Sequence, residues 1–252
     1  LNKTNHLTGN FSESFAKLNT VFLQLIVMVM SFAPIGVFCL IGKFVIADGL
    51  DIFQDVLAYV VLLISLLIFH ALFTYSIFIK FIGGLSPITF FRKIKNVALF
   101  AFSTSSSAAT IPVTLKTVNQ DLGVNQNVAS FVVPVGATIN MDGTAIMQGL
   151  ATVFIAQMSG IDLTLFQYGQ VVLLAVATSI GTAAVPSAGT ITLIIILQQF
   201  NLPLEAIGII LAVDRVLDMI RTSVNVSGDA AIACIVAKSE NQLDESIFNE
   251  HK

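Results

Sequence analysis

Six polar side chains recur on one helical stripe between Ala212 and Lys238, where the chain reads AVDRVLDMIRTSVNVSGDAAIACIVAK. They are Asp214, Asp218, Arg221, Thr222, Asn225 and Asp229. At about 100° per residue they fall within roughly 100° of the helix circumference. The remaining surface is mainly Val, Leu, Met, Ile and Ala. A charge at the centre of a membrane helix costs roughly 2.5–3.5 kcal/mol on insertion scales. Such a stripe must face partners, ions or a water-filled cavity. One ion pair would suit a structural contact. Three carboxylates, an arginine, an asparagine and a threonine exceed what helix packing needs.

The membrane premise follows from composition. Of 252 residues, 56% are hydrophobic and only 11% are charged, against about 25% charged in soluble domains. Mean hydropathy is +0.90. The net charge of −3 comes with no basic, aromatic-interleaved run, which argues against a nucleic-acid partner. Cys39 and Cys234 lie in apolar surroundings without CxxC or metal spacing, so both are expected to be small buried side chains. The chain starts without Met or a cleavable signal and reads as the C-terminal part of a longer protein.

Residues 1–17 read as a polar loop. Val21–Gly42 runs 22 residues without a charge, enough to span a bilayer, with Pro34 and Gly36 placed to kink it. Asp48–Asp55 reads as a polar turn, and Val56–Ile79 as a second span containing His70, expected to be hydrogen-bonded within the bundle. Lys80, Arg92, Lys93 and Lys95 form the main basic cluster, which the positive-inside rule places in the cytoplasm. Val97–Gln120 centres on Ser103–Ser107, and neither half is long enough to cross. A hairpin entering and leaving on one side fits, with its exposed backbone buried or lining a cavity. Ser130–Ser159 reads as a span interrupted from Gly136 to Thr144, where Thr138, Asn140 and Asp142 supply oxygens suited to a hard cation such as Na⁺. Leu163–Phe200 repeats the hairpin theme around Pro186, and the polar-striped helix follows. The tail from Glu240 to Lys252 is expected to be mobile.

These pieces form two pairs, each a small-residue hairpin followed by an interrupted helix. Ser106 and Asn140 are 34 residues apart, Ser187 and Asn225 38. Paired interrupted segments point to a midplane binding site in a secondary transporter. Two hairpins entering from opposite sides would make two gates around one site.

Four motifs occur in order: Ser-Ser-Ser-Ala-Ala-Thr-Ile-Pro at 105–112, Asn-Met-Asp-Gly-Thr at 140–144, Gly-Thr-Ala-Ala-Val-Pro-Ser-Ala-Gly at 181–189, and Asp-Met-Ile-Arg-Thr-Ser-Val-Asn-Val-Ser-Gly-Asp at 218–229. With these the chain resembles the glutamate transporter family, the dicarboxylate/amino acid:cation symporters, as a C-terminal fragment of a prokaryotic-type member. The resemblance implies an all-α polytopic membrane protein with two re-entrant hairpins in an inverted repeat. It divides the chain into a cytoplasmic loop and one scaffold helix (1–50), a transport domain (51–239) and a cytoplasmic tail (240–252). It also implies a homotrimer for the full-length chain, lipid contact and a multi-pass place in the cell membrane with a cytoplasmic C-terminus.

Roles carry over by motif position. Arg221 resembles the residue that takes the substrate side-chain carboxylate, its planar fork suiting bidentate contact. Asp218 would bind the ammonium, and Asn225 with backbone near Ser107 the α-carboxylate. Thr144, Thr222 and backbone at Ser105, Val185 and Gly189 would complete the pocket. Gly136, Asn140, Asn225 and Asp229 resemble one Na⁺ site. Carbonyls of Thr138, Ser179, Ile180 and Thr182, with the Met141 sulfur, resemble a second. Asn140 and Asp142 resemble half of a third. Asp214 reads as a supporting carboxylate, and Arg215 has no assigned role. Some prokaryotic relatives carry an arginine near Ser105; a serine there leaves the substrate side-chain charge to Arg221 alone.

The reading that results is a Na⁺-coupled importer of L-glutamate or L-aspartate with elevator-type alternating access. Asp218 argues against plain C4-dicarboxylates, which bring no ammonium, and Arg221 against neutral amino acids, because an unpaired buried guanidinium is costly. C4-dicarboxylate transport and H⁺ in place of Na⁺ are the alternatives. An intramembrane hydrolase is disfavoured because the serines lack a Gly-x-Ser-x-Gly context, and a channel because two opposed gates imply alternating access.

Overall fold

The computed structural model describes residues 52–250 without interruption, together with isolated positions between 14 and 46. The chain divides into two compact units, Leu1–Gly49 and Leu50–Lys252. The expected span Val21–Gly42 lies, apart from isolated positions, outside the described residues. The second unit is helical, with no strand among the described residues.

Helix α1 (Ile52–Phe69) runs on through π-type turns at His70–Thr74 and Phe78–Ile82. The helical run Phe53–Ile82 contains an 18-residue window of mean hydropathy 2.7 and is long and apolar enough to cross a membrane. It buries one narrow stripe, Tyr59, Leu63, Leu67, Tyr75 and Ile79, and exposes Leu57, Val61, Phe69 and Phe73. An apolar exposed face on this scale fits a lipid surround. The helix begins by Ile52, so the polar turn expected through Asp55 is shorter. Asp55 sits instead in the first helical turn, where a carboxylate favours the helix dipole.

Helices α2 (Pro87–Thr104) and α3 (Ser107–Gln120) pack on each other and reverse at Ser105, whose φ of 51° is left-handed. Ser86 caps α2 by accepting the Thr89 N–H, and Pro87 fits the first turn. The first arm therefore starts ten residues before the expected Val97. Arg92, Lys93 and Lys95 lie on it. An apolar run alone marks only the part of an amphipathic helix that faces the core.

Helices α4 (Gln126–Ile139) and α5 (Asp142–Met158) are parted only by Asn140 and Met141. The expected break from Gly136 to Thr144 is thus mostly helical. A single helical glycine costs about 1 kcal/mol, which packing overrides. Helices α6 (Leu165–Ile180) and α7 (Ala188–Gln199) form the second pair, joined by Gly181–Ser187.

Helix α8 (Ile207–Ser239) is 33 residues long and unbroken, contrary to the interruption expected near Asn225. Its polar stripe is accommodated by neighbours and the backbone need not unwind. It packs against α1 to α5 and α7 and is the axis of the unit. Ala230, Ala233, Cys234 and Ala237 give it a small-residue face that permits close helix approach. Cys234 is buried as expected, whereas Cys39 is exposed.

The tail is docked and not loose. Asp244 caps α9 (Glu245–Asn249), and Phe248 is fully buried. Asn125 N–H donates to Gln242 O (3.0 Å) and Asp244 N–H to Gly123 O (2.8 Å). Lys93 Nζ reaches both Asp121 O (2.8 Å) and Ile247 O (2.6 Å). Lys238 pairs with Glu245. A polar sequence hid one buried aromatic that repays docking.

Candidate functional site

All six stripe residues of α8 are buried. Arg221 is held between two carboxylates of its own helix, Asp218 Oδ1 at 2.5 Å and Asp214 Oδ1 at 3.4 Å. Both acids are also tied to the start of α7. The Ser187 N–H donates to Asp218 Oδ2 (2.9 Å), and the Thr190 hydroxyl to Asp214 Oδ1 (2.7 Å). A helix N-terminus offers free N–H groups and a positive dipole end, so it suits a carboxylate.

Asp218, Arg221, Thr222 and Asn225 face a small cavity. Ser105 and Ser107 from the first helix pair line it, as do Met141 and Thr144 from the α4–α5 junction, and Thr182, Val185 and Gly189 from the second pair. Its volume is about 20 Å³, room for about one water. The turns of the two pairs close over it. Ser106 donates its hydroxyl to Ala184 O (2.8 Å), and the Ala108 N–H approaches the same oxygen at 3.4 Å. Gly189 has to be small: a Cβ there would lie 2.7 Å from Thr144 Cγ2. The Ser105 hydroxyl is buried and has no partner among the described residues.

A second cluster lies one to two turns along α8. Asn140 Nδ2 donates to Asp229 Oδ1 (3.0 Å) and Asn225 O (3.3 Å). Gly136 abuts the same carboxylate, where a Cβ would sit 2.6 Å from Asp229 Oδ1. Asn225 bridges the cluster to the cavity, accepting the Gly143 N–H at 2.8 Å and donating to Thr144 Oγ1 at 3.3 Å. Asn140 thus links the Asp229 carboxylate, which Gly136 abuts, to the Asn225 carbonyl.

Of the second expected set, whose contributions are backbone carbonyls and the Met141 sulfur, Met141 and Thr182 line the cavity and Ser179 is buried; the Thr138 hydroxyl donates to Val135 O (3.0 Å) and the Ile180 side chain is exposed. Asp142 points to α1, where His70 Nε2 and Tyr75 Oη each lie 3.1 Å from Oδ2. The widened turn beginning at His70 accompanies this contact. Arg215 is exposed.

Four contributors escaped the sequence reading. Gln148 is buried on α5 and pins both arms of the second pair. It accepts from Thr178 Oγ1 (2.8 Å) and donates to Gly189 O (3.0 Å) and Thr192 Oγ1 (2.8 Å). Tyr59 and Tyr75 are the polar members of the α1 stripe, and a tyrosine in register with buried leucines was the available signal. Ser187 acts through its backbone, which leaves no side-chain signature.

Buried carboxylates, an arginine and small-residue turns converge on one cavity inside an apolar helical bundle. The family model "Sodium:dicarboxylate symporter family" matches residues 2–239, and the chain belongs to that family. It is 41% identical to excitatory amino acid transporter 2 of Mus musculus over 243 residues, covering 95% of this chain and 42% of that protein. An excitatory amino acid transporter of Caenorhabditis elegans is 42% identical over 224 residues, covering 88% and 44%. Excitatory amino acid transporter 1 of Homo sapiens is 39% identical over 226 residues, covering 89% and 42%. The chain spans less than half the length of these relatives.

Proposed function

We propose that the full-length protein imports an acidic amino acid, L-glutamate or L-aspartate, together with Na⁺ across the cell membrane. The observation that carries this reading is the buried Arg221–Asp218 pair opening onto the cavity. An arginine and an aspartate side by side complement a ligand that carries both a carboxylate and an ammonium. Such a ligand exchanges one ion pair for two. Burying charge is tolerable when each charge finds a partner. Arg221 takes the side-chain carboxylate, Asp218 the ammonium, and Asn225 with backbone near Ser107 the α-carboxylate. Ser105, Thr144, Val185, Gly189 and Thr222 complete the walls. A plain dicarboxylate would leave Asp218 without a partner.

Na⁺ is cargo in this reading. Gly136, Asn140, Asn225 and Asp229 offer a carboxylate, amides and backbone carbonyls, the hard-oxygen set such an ion prefers. Met141, Ser179, Ile180 and Thr182, with Thr138, form a second candidate set, and Asn140 with Asp142 part of a third. Asn225 belongs to both the ligand wall and the first ion cluster, which would couple the two cargoes.

The cavity is too small for an amino acid, so one helix pair must move to admit it. The second pair is the candidate gate, because polar contacts to Ser106 and Asp218 hold its turn. In this reading both pairs are re-entrant hairpins of an inverted repeat. Residues 51–239 are the transport domain, which moves as an elevator against a trimeric scaffold that includes residues 1–50, and the C-terminus is cytoplasmic.

The test is uptake of labelled L-aspartate by the full-length protein in proteoliposomes under an imposed Na⁺ gradient, with succinate and L-serine as competitors. Na⁺-dependent uptake that resists both competitors is expected. Inhibition by succinate would move the substrate to C4-dicarboxylates, and uptake driven by a proton gradient alone would replace the coupling ion.

A further inference from the structure

Two buried polar atoms beside the site lack partners among the described residues. One is the hydroxyl of Tyr59 on α1, the other is Oδ2 of Asp214 on α8. They lie on two helices that pack against each other, α1 and α8, and Tyr59 is within electrostatic reach of both Asp214 and Arg221. One atom is a donor and the other a charged acceptor. Left apart, each carries an uncompensated desolvation cost. The Tyr59 ring is fixed independently, packed against Phe154 of α5 with centroids 5.0 Å apart.

The two acids that flank Arg221 are not equivalent. Asp218 lines the cavity, where a ligand ammonium could replace the guanidinium at its carboxylate. Asp214 does not line the cavity, and its Oδ1 is committed to Thr190 and Arg221. When Asp218 turns to a ligand, Asp214 is the acid that remains to hold the guanidinium.

We propose that the Tyr59 hydroxyl donates a hydrogen bond to Asp214 Oδ2, directly or across one water, and so fixes Asp214 as the permanent counter-ion that aims Arg221 at a ligand carboxylate. Tyr59 is then a positioning residue, and it sets the preference for acidic over neutral ligands. The inference rests on the proposed acidic amino-acid site.

The experiment uses the full-length protein with Tyr59→Phe, which keeps the ring and removes only the hydroxyl, alongside Asp214→Asn and the double variant. The first readout is the apparent thermal unfolding midpoint of each in detergent. Coupled residues give a double variant within about 1 °C of the worse single one; additive shifts overturn the hydrogen bond. The second readout is uptake by Tyr59→Phe alone, which does not depend on Asp214→Asn folding. The KM for L-aspartate is expected to rise about tenfold, as for loss of a hydrogen bond to a charged group. Vmax should stay within about twofold, and L-serine should still leave uptake unaffected. An unaltered KM, or a fall in Vmax that matches the rise in KM, overturns the positioning role. Absence of Na⁺-driven aspartate uptake by the unsubstituted protein would strike the transport function instead, and the unfolding midpoints would still decide the hydrogen bond.

Discussion

The α2–α3 pair and the α6–α7 pair both reverse at a left-handed serine, Ser105 with φ 51° and Ser187 with φ 59°. Beyond that they differ. In the first pair, Ser106 caps α3 by accepting the Ala109 N–H, and the far ends of both arms are strapped by the tail through Lys93, Asp121 and Phe248. In the second, Ser187 makes no side-chain cap, and Gly181–Ser187 is irregular, with Gly181 and Ala183 exposed. Its turn is held by neighbours, through Asp218, Ser106 and the Gln148 pin. Similar sequences thus give one pair with its own cap and a strap at its far ends, and one whose turn is held by groups on other elements. Local opening free energy follows such contacts.

The difference can be broken most strongly at Gly189. Gly189→Val would drive a branched side chain into Thr144 and Met147. Overpacking of this kind costs about 1–3 kcal/mol. We expect uptake by the full-length protein to fall at least about tenfold, measured as initial rate in proteoliposomes.

Gln148→Leu removes three hydrogen bonds to the second pair and none to the first. A loss of about 2–4 kcal/mol is expected from the buried groups left unpaired. A cysteine placed at Ala183 should then label faster, while one at Ser103 should not. Equal acceleration at both would erase the distinction between the pairs.

Lys93→Met should act the opposite way. It withdraws the donor shared by Asp121 O and Ile247 O, so amide exchange should quicken in α9 and residues 120–125 while labelling at Ala183 is unchanged. Ser106→Ala sharpens the comparison further, since it deletes a cap of α3, worth about 1 kcal/mol, and the bond to Ala184 O. Both pairs should loosen slightly, by labelling rate.

The smallest effect concerns the strap. Asp244 is exposed, and the Ser246 hydroxyl, with the N–H groups of Ile247 and Ser246, lowers its carboxyl below the ordinary aspartate range. A depressed folded pKa stabilises above the unfolded pKa and is lost as pH falls through the folded one. Amide protection of α9 should therefore hold at neutral pH and decline only in acid, below the ordinary aspartate range. Decline near pH 7 would mean another group controls docking.

Much of the site was legible because its chemistry is local to one helix. Asp214, Asp218, Arg221, Thr222 and Asn225 share a face by helical period alone, and an apolar chain cannot bury such a face without purpose. Asn140 and Gly136 were legible as a polar break in an apolar run, although only Asn140 and Met141 leave the helix. Gln148, Tyr59 and the Ser187 N–H were not. Their importance lies in which distant groups they meet.

The sequence by itself determined the apolar helices, their polar stripe and the small-residue turns, because periodicity and the cost of buried charge act over a few residues. Tertiary structure alone decided that α8 stays unbroken, that Asp142 turns to His70 and Tyr75, and that the polar tail docks through Phe248. Each of these depends on a partner far away in the chain, and no local pattern records which partner a buried group will find.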